Sequence, residues 1–227
     1  MSHEYTDKPK RGQFIAIEGN DGSGKTSVIS KLKTLLGENC LVRFHAAPSK
    51  IGVSGKLRQM FLQDHPNMHQ CTDLMLFMAC LIEEYKQINE WLDEGHHVIS
   101  DRWMLSTMVY QANALTRMGM MDHYVDGFTD MLEHADMYIL LGLDHEARME
   151  RLNKGIAQGT HLDKFDMDAS DTIAARSEAY EQWANAIVEG NNNCTRCIHI
   201  DTNEPISEVV SNVVGAISRC IKGDPIA

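Results

Sequence analysis

Short apolar runs alternate with longer amphipathic stretches along this chain. The runs predict β-strands, and the stretches between them predict helices, the longest being Cys71–Glu94, which is followed by Gly95. Because strands and helices alternate, we expect an α/β protein with a central parallel sheet of about five strands flanked by helices, whose ligands bind at the carboxyl ends of the strands. The candidate strands are Phe14–Glu18, Cys40–Phe44, His97–Ser100, Met137–Leu143 and Cys197–Ile200.

The eight residues after the first candidate strand match the phosphate-binding pattern G-x-x-x-x-G-K-[ST]. Apolar residues at helical spacing follow from Ser27 to Leu36, so the glycines lie in a turn between a strand and a helix. Backbone N–H groups of such a turn converge on phosphate oxygens, Lys25 reaches the outer phosphates, and Thr26 can ligate Mg²⁺. The predicted nucleotide-binding residues are Gly19, Asn20, Asp21, Gly22, Ser23, Gly24, Lys25, Thr26 and Ser27.

Composition narrows the class of protein. The chain has 227 residues, enough for one sizeable core, and we expect a single domain over 1–227 with residues 1–12 as a flexible tail. Its 32 acidic and 21 basic residues give a net charge of -11, which argues against nucleic acid as a partner. The longest apolar run, Leu74–Ile82, is far shorter than the ~20 residues of a membrane span. We therefore expect a cytoplasmic location, in the host cytoplasm if the chain is viral, with no membrane partner.

Asp101 and Arg102 are a second group of residues that could take part in binding or catalysis. They follow the strand His97–Ser100, at the sheet edge where the phosphate-binding loop is expected. A carboxylate there can hold Mg²⁺ through water, and an arginine can present two N–H groups to a phosphate. An Asp-Arg pair at a strand end is also often a local salt bridge or a helix cap, so the residue types alone leave both interpretations open.

The segment from Asp101 to Gln111, DRWMLSTMVYQ, resembles the D-R-[YH]-x-x-S-[STN]-x-x-Y-Q segment of thymidylate kinases, and Glu18–Thr26 resembles their E-G-x-D-G-S-G-K-T loop. Leu76-Phe77 and His161–Asp166 match two further family segments in order and spacing. The chain is identified as a divergent member of this family from about Phe14 to Pro205. The resemblance implies a P-loop NTPase fold, here a single nucleoside monophosphate kinase domain with a mobile lid at about 148–166.

The resemblance also implies the reaction, which is Mg²⁺-dependent phosphoryl transfer from ATP to dTMP to give dTDP. Phe77 would lie against the pyrimidine, Tyr110 would crowd the ribose 2′ position, and Asp21 would face the sugar 3′-hydroxyl. Family members are typically homodimers, so we expect a homodimer. The implied catalytic residues are Lys25, Asp21 and Arg102, the metal ligands are Thr26 and Asp101, and the substrate-binding residues are Phe77, Arg102, Ser106, Thr107, Tyr110, Gln111 and, as a candidate, Arg58.

Three cations at three-residue spacing, Arg148, Arg151 and Lys154, are predicted to share one face of a lid helix. Cations that close over a migrating phosphoryl group stabilise its charge and exclude water. Because Gly22 stands where some family members place an arginine, we predict that Arg151 is catalytic. The alternative is that the spacings Asp144 to Arg148 and Glu150 to Lys154 form ion pairs that only stabilise the helix.

Two departures from the family pattern affect substrate recognition. The family's R-E-P segment is replaced by Ala46-Ala47-Pro48, and the arginine of its A-D-R segment is replaced by Leu81. Candidate substitutes for the first arginine are Lys50, Arg43 and Arg58. Two alternatives to a strict dTMP kinase therefore stay open: a kinase with altered or relaxed base specificity, and a deoxynucleoside kinase. The latter enzymes share the loop but usually carry an apolar residue at the Asp21 position.

Overall fold

The computed structural model describes residues 9–37, 41–64, 67–117, 132–157, 170–190 and 195–223. In these ranges five strands form one parallel sheet in the order β2-β3-β1-β4-β5. This arrangement confirms the predicted α/β class and five-stranded parallel sheet. The strands are β1 (Phe14–Glu18), β2 (Val42–Ala46), β3 (His97–Asp101), β4 (Met137–Gly142) and β5 (Arg196–Asp201).

Helices connect the strands and cover both faces of the sheet. A short π-helical turn, Met60–Asp64, follows the second helix. The helices are α1 (Lys25–Leu36), α2 (Gly52–Gln59), α3 (Gln70–Asp93), α4 (Met104–Arg117), α5 (His145–Ala157), α6 (Ser170–Gly190) and α7 (Ile206–Lys222).

Alternating residues of β1 face two separate apolar cores, as the pleat of a strand requires. Phe14 and Ala16 pack in a core built with α3, α4 and α6, whereas Ile15 and Ile17 pack in a core built with α1 and α7. All five residues of β1 are buried. Because β1 is central and covered on both faces, the loop that follows it has a rigid support.

The second strand begins later than its sequence predicts. We predicted Cys40–Phe44, but pairing with β3 aligns Val42 with His97 and Ala46 with Asp101. Hydrogen bonding to a neighbouring strand, rather than the apolar run, therefore sets the bounds of β2. As a consequence, Ala46 and Asp101 end side by side at the carboxyl edge of the sheet.

The predicted lid lies only partly in the described residues. Its first part, from Arg148, belongs to α5, while His161–Asp166 lies outside the described residues, as do residues 1–8 of the predicted tail. Among the helices of the described ranges, none combines the length and the apolar character that crossing a bilayer would need.

Candidate active site

The loop between β1 and α1 has the geometry of a phosphate-binding loop. Gly19, Gly22 and Gly24 have φ values of 140°, 82° and 92°, which favour glycine, and Gly24 caps the amino end of α1. The buried Lys25 Nζ donates hydrogen bonds to the carbonyl oxygens of Gly19 at 2.7 Å and Asn20 at 2.8 Å. The ammonium group is therefore held above the loop, where phosphates bind in such structures.

The electrostatic environment of Lys25 prepares it for an anionic ligand. Burial and the charge of Arg102 lower the pKa of the ammonium to about 8, although Asp21 and Asp101 act in the opposite direction. A phosphate placed beside this group adds negative charge and stabilises its protonated form. The loop therefore gains electrostatic stabilisation when a nucleotide binds.

The Arg102 side chain donates hydrogen bonds to several groups around the loop. Its φ of 70° lies in the left-handed region, which a residue with a side chain rarely adopts. One guanidinium nitrogen donates to the Gly19 carbonyl at 3.1 Å, to Ser106 Oγ at 2.9 Å and to the Tyr180 hydroxyl at 3.1 Å. The other donates to the Asp21 carboxylate. The side chain predicted to bind the acceptor phosphate is thus held by the phosphate-binding loop, α4 and α6.

Asp21 is held in its ionised form. Burial alone would raise the pKa of this carboxyl group, but the charges of Arg102 and Lys25 and a hydrogen bond from Tyr110 lower it to about 2. The Tyr110 hydroxyl donates to Asp21 Oδ2 at 2.7 Å. Asp21 is therefore an acceptor for hydrogen bonds at any physiological pH, which suits the predicted contact with a sugar hydroxyl.

A cavity of about 260 Å³ opens beside the loop and brings together most of the predicted acceptor site. Asp21, Thr26 and Asp101 lie at its loop end. The ring of Phe77 in its wall packs against Phe61, with the ring centroids 4.3 Å apart. The predicted substrate-binding residues that line it are Arg58, Phe77, Arg102, Ser106, Thr107 and Tyr110.

Two residues named for the acceptor site, Gln111 and Arg43, do not line the cavity. Gln111 is buried on α4 but does not line the cavity, and its Nε2 has no hydrogen-bond partner within the described part of the chain. Of the candidate substitutes for the missing phosphate-binding arginine, Lys50 and Arg58 line the cavity, whereas Arg43 is hydrogen-bonded to His96 at 3.1 Å. Base contact by Gln111 remains a prediction, and the structure favours Lys50 and Arg58 over Arg43.

Two of the three lid cations lie against the phosphate-binding loop. Arg148 is buried and its Nε donates to the backbone oxygen of Asp21. Arg151 donates to the Thr202 carbonyl, and its Nη1 lies 3.3 Å from the place where a Cβ on Gly24 would stand. Lys154 instead forms the exposed ion pair with Glu150 that the alternative interpretation anticipated. A catalytic role for Arg151 stays a prediction.

Sequence reasoning gave no role to Glu18 or Arg176. Glu18 is fully buried at the end of β1 and accepts hydrogen bonds from the backbone nitrogens of Trp103 at 2.8 Å and Ser106 at 3.2 Å. Burial raises the pKa of this carboxyl group to about 7, against the lowering effect of Ser106. Arg176 lies on α6 with its guanidinium carbon 4.4 Å from the centre of the Tyr110 ring. A role for Glu18 could have been predicted from its place in the loop motif. The contact between Arg176 and Tyr110 forms only when the chain folds, and no local pattern predicts it.

A family model described as thymidylate kinase matches residues 17–213, which include every element from the loop to the start of α7. The chain belongs to the thymidylate kinase family. This membership confirms the family prediction and the predicted enzyme class, a nucleoside monophosphate kinase that phosphorylates dTMP with ATP.

Similarity to other members of the family extends over most of the chain. The thymidylate kinase of Halalkalibacterium halodurans is 27% identical over 213 residues, covering 92% of this chain and 97% of the relative. That of Caldicellulosiruptor saccharolyticus is 28% identical over 217 residues, covering 93% and 98%. The structure of the Candida albicans thymidylate kinase, described as having broad substrate specificity, matches with a TM-score of 0.69 at 19% identity over 92% of each chain. This structural match confirms the P-loop NTPase fold.

Proposed function

We propose that this member of the family transfers the γ-phosphoryl group of ATP to the 5′-phosphate of dTMP within one domain over 1–227, and that Arg102 and Asp21 join its two substrate sites. The observation that carries this proposal is the shared position of the two side chains. Asp21 belongs to the phosphate-binding loop, Arg102 contacts that loop, and both line the adjoining cavity. A donor phosphate on the loop and an acceptor in the cavity would therefore meet at these residues.

Catalysis would rest on positioning and on positive charge, because the transferred group carries negative charge throughout the reaction. Lys25 and the loop amides would hold the donor phosphates. Arg102 would hold the acceptor phosphate, and Arg151, which lies over Gly24, would add charge from α5. A phosphate monoester is already ionised near neutral pH, its second pKa being about 6, so the acceptor needs no general base.

The residues near the loop also fit Mg²⁺. Thr26 offers a hydroxyl oxygen and Asp101 a carboxylate, and both line the cavity at its loop end. Hard oxygen ligands of this kind suit Mg²⁺, which normally completes its shell with substrate phosphates and water. When bound there, the ion would neutralise phosphate charge. Asp101 and Thr26 would be the protein groups that hold it.

The wall of the cavity supports a second proposal, that recognition of the nucleobase is relaxed. Leu81 is buried in this wall, which the half-buried Leu62 and Phe77 also line. Leucine cannot donate a hydrogen bond, and a site without a donor discriminates less sharply between bases than one that has it. The apolar side chain would therefore accept thymine without rejecting another pyrimidine strongly.

A homodimer is part of the proposal, and α3 supports it. Leu74, Met78 and Leu81 are buried in the chain's own core, whereas Met75 and Ile82 are 40% and 42% exposed. The apolar run in α3 therefore has an exposed apolar surface at Met75 and Ile82. A second copy packed on this face would bury it.

The substrate assignment is tested by measuring ADP release with ATP and each nucleoside and deoxynucleoside monophosphate, with free thymidine as the matched unphosphorylated substrate. We expect the highest kcat/KM with dTMP, measurable activity with dUMP or dCMP, and none with thymidine. Activity with thymidine but not with dTMP would show that the acceptor is a nucleoside. Activity with dTMP alone would overturn the relaxed base recognition.

A further inference from the structure

The side chain of Tyr110 is held by groups from three separate parts of the chain. Its hydroxyl donates to Asp21 Oδ2 of the phosphate-binding loop at 2.7 Å. The guanidinium carbon of Arg176, on α6, lies 4.4 Å from the centre of the ring, and that of Arg102 lies 5.2 Å from it. Both distances are within the ~6 Å over which a cation is attracted to an aromatic ring. Arg176 is the nearer of the two cations.

Burial makes the contact between Arg176 and Tyr110 stronger than one on the surface. Arg176 is only 9% exposed, so its guanidinium group is largely desolvated against the ring. This planar group can also stack on an aromatic ring, which an ammonium group cannot. Tyr110 is half-buried and lines the acceptor cavity. The contact therefore restrains a side chain that belongs to the cavity wall.

Arg176 itself does not line the cavity, so its influence on a ligand there passes through its neighbours. Asp21 is the second of these. Burial raises the pKa of the Asp21 carboxyl group, but nearby cations, Arg176 among them, help to lower it to about 2. The ionised carboxylate is the form that accepts the hydrogen bond from Tyr110. Arg176 therefore supports both partners of that bond.

Helix α6 gives Arg176 a fixed position. The next residue, Ser177, accepts a hydrogen bond at its Oγ from Asn20 Nδ2 at 2.6 Å. One turn further along, the Tyr180 hydroxyl lies 2.9 Å from Ser106 Oγ on α4. These contacts join α6 to the phosphate-binding loop and to α4 without the Arg176 side chain. A substitution of Arg176 should therefore leave the helix in place.

The orientation of the Tyr110 ring depends on both of its restraints. A ring in a cavity wall excludes a substituent of the ligand only if the ring cannot turn away. The hydrogen bond to Asp21 fixes the hydroxyl end of the side chain. The guanidinium group of Arg176 restrains the plane of the ring, because the attraction depends on the cation lying over the ring face. Without Arg176 the ring could tilt about its hydroxyl end.

We infer that Arg176 is a positioning residue of the acceptor site, which fixes the ring of Tyr110 against the acceptor sugar and so contributes to the choice of deoxyribose over ribose. This inference rests on the proposed function in taking the cavity as the dTMP site, and on the expected place of Tyr110 beside the 2′ position. A ring that can tilt would admit a 2′-hydroxyl, while the base and the phosphate would keep their contacts. Loss of Arg176 should therefore be seen at the sugar.

The test compares dTMP with ribothymidine 5′-monophosphate, which differs from it only by the 2′-hydroxyl. The measured quantity is the ratio of kcat/KM for dTMP over the ribonucleotide, from ADP release with ATP. Arg176→Met removes the cation, and Arg176→Lys keeps the charge but lacks the planar group. Each is made in the wild type and in Tyr110→Leu, which lacks the ring. The exposed Arg219→Met on α7 is the matched control for loss of one guanidinium group.

In Arg176→Met we expect the ratio to fall about fivefold, as for loss of a largely desolvated contact between a cation and a ring, and in Arg176→Lys about twofold. Arg219→Met should keep the wild-type ratio. In the Tyr110→Leu background neither substitution of Arg176 should lower the ratio further, because the ring through which it acts is gone. If thermal unfolding shows that Arg176→Met does not fold, Arg176→Lys carries the same comparison.

An unchanged ratio in the folded Arg176 variants would overturn the inference. An equal fall in the wild-type and Tyr110→Leu backgrounds would also overturn it, since that is the result of a role that does not pass through the ring. A wild type that phosphorylates both nucleotides equally well would do the same. Absence of phosphorylation of dTMP by the wild type would instead contradict the proposed function.

Discussion

The donor and acceptor halves of the site are built from the chain in different ways. The donor half is one continuous segment, Gly19–Thr26, fixed between β1 and α1. The acceptor half is assembled from the end of β2, from α3 and from α4. A substitution in one of these separate elements can change the acceptor half without disturbing the donor half. This difference explains how the phosphate-binding loop matches its family pattern while Ala46, Ala47 and Leu81 depart from theirs.

The two halves also differ in charge. Around the loop, the ionised Asp21 stabilises the charges of both Lys25 and Arg102, which repel each other, in a largely buried cluster. The acceptor wall at Leu62, Leu81 and Ala47 is apolar, and Lys50 and Arg58 are the charged side chains that line the cavity away from the loop among the described residues. We therefore expect substitutions in the donor half to act on turnover, and substitutions in the acceptor wall to act on the choice of substrate.

The largest effect is expected for Lys25→Ala. Removing the ammonium group takes away the principal charge that holds the donor phosphates, and kcat should fall about a thousandfold, as for loss of a key electrostatic contact in other enzymes. The fold should persist, because within the described part of the chain the Lys25 ammonium group donates hydrogen bonds only to loop carbonyls. Steady-state ADP release and thermal unfolding measure the two effects. The exposed Lys31→Ala on α1 is the control, and retention of most activity in Lys25→Ala would contradict the assignment.

An intermediate effect is expected for Glu18→Gln, at the point where the two halves meet. Burial raises the pKa of Glu18 from 4.5 to about 7, so the folded protein keeps a proton that the unfolded chain releases. The associated stability is complete below about pH 4.5 and is lost as the pH rises through about 7. The variant does not ionise, so its stability relative to the wild type should increase over this range by up to about 3 kcal/mol.

Urea unfolding of the wild type and of Glu18→Gln at several pH values measures this difference. The exposed Glu178→Gln on α6 controls for the loss of one carboxyl group and should show no such trend. A constant difference between the wild type and Glu18→Gln across the range would mean that Glu18 does not titrate as its burial requires.

The smallest effect is expected for Leu81→Arg, which would restore the donor that the family pattern contains. If the base site lacks a donor, the ratio of kcat/KM for dTMP over dCMP should rise about tenfold, since thymine has a 4-carbonyl where cytosine has an amine. Leu81→Met keeps the apolar volume and should leave this ratio unchanged. An unchanged ratio in Leu81→Arg would show that another residue already reads the base.

Much of the fold could be predicted because it depends on local patterns. Apolar runs predict the five strands. The loop motif predicts the turn at Gly24, because its glycines stand where the backbone needs a positive φ. The bounds of β2 were wrong by two residues because pairing with β3, which is non-local, sets them. The family resemblance assigns Gln111 to the base site, and packing places it outside the cavity lining, so its contact with the base stays a prediction.

The sequence by itself determined the phosphate-binding loop, the alternation of strands and helices, and the family, since each depends on residues that are neighbours along the chain. Only the tertiary structure decided which charges meet. It placed Arg102 between Asp21 and Tyr180, buried Glu18 beneath Trp103, and joined His45 to Glu84 across β2 and α3. Electrostatic and hydrogen-bonding energies depend on distance and burial, and residues far apart in sequence acquire both only when the chain folds.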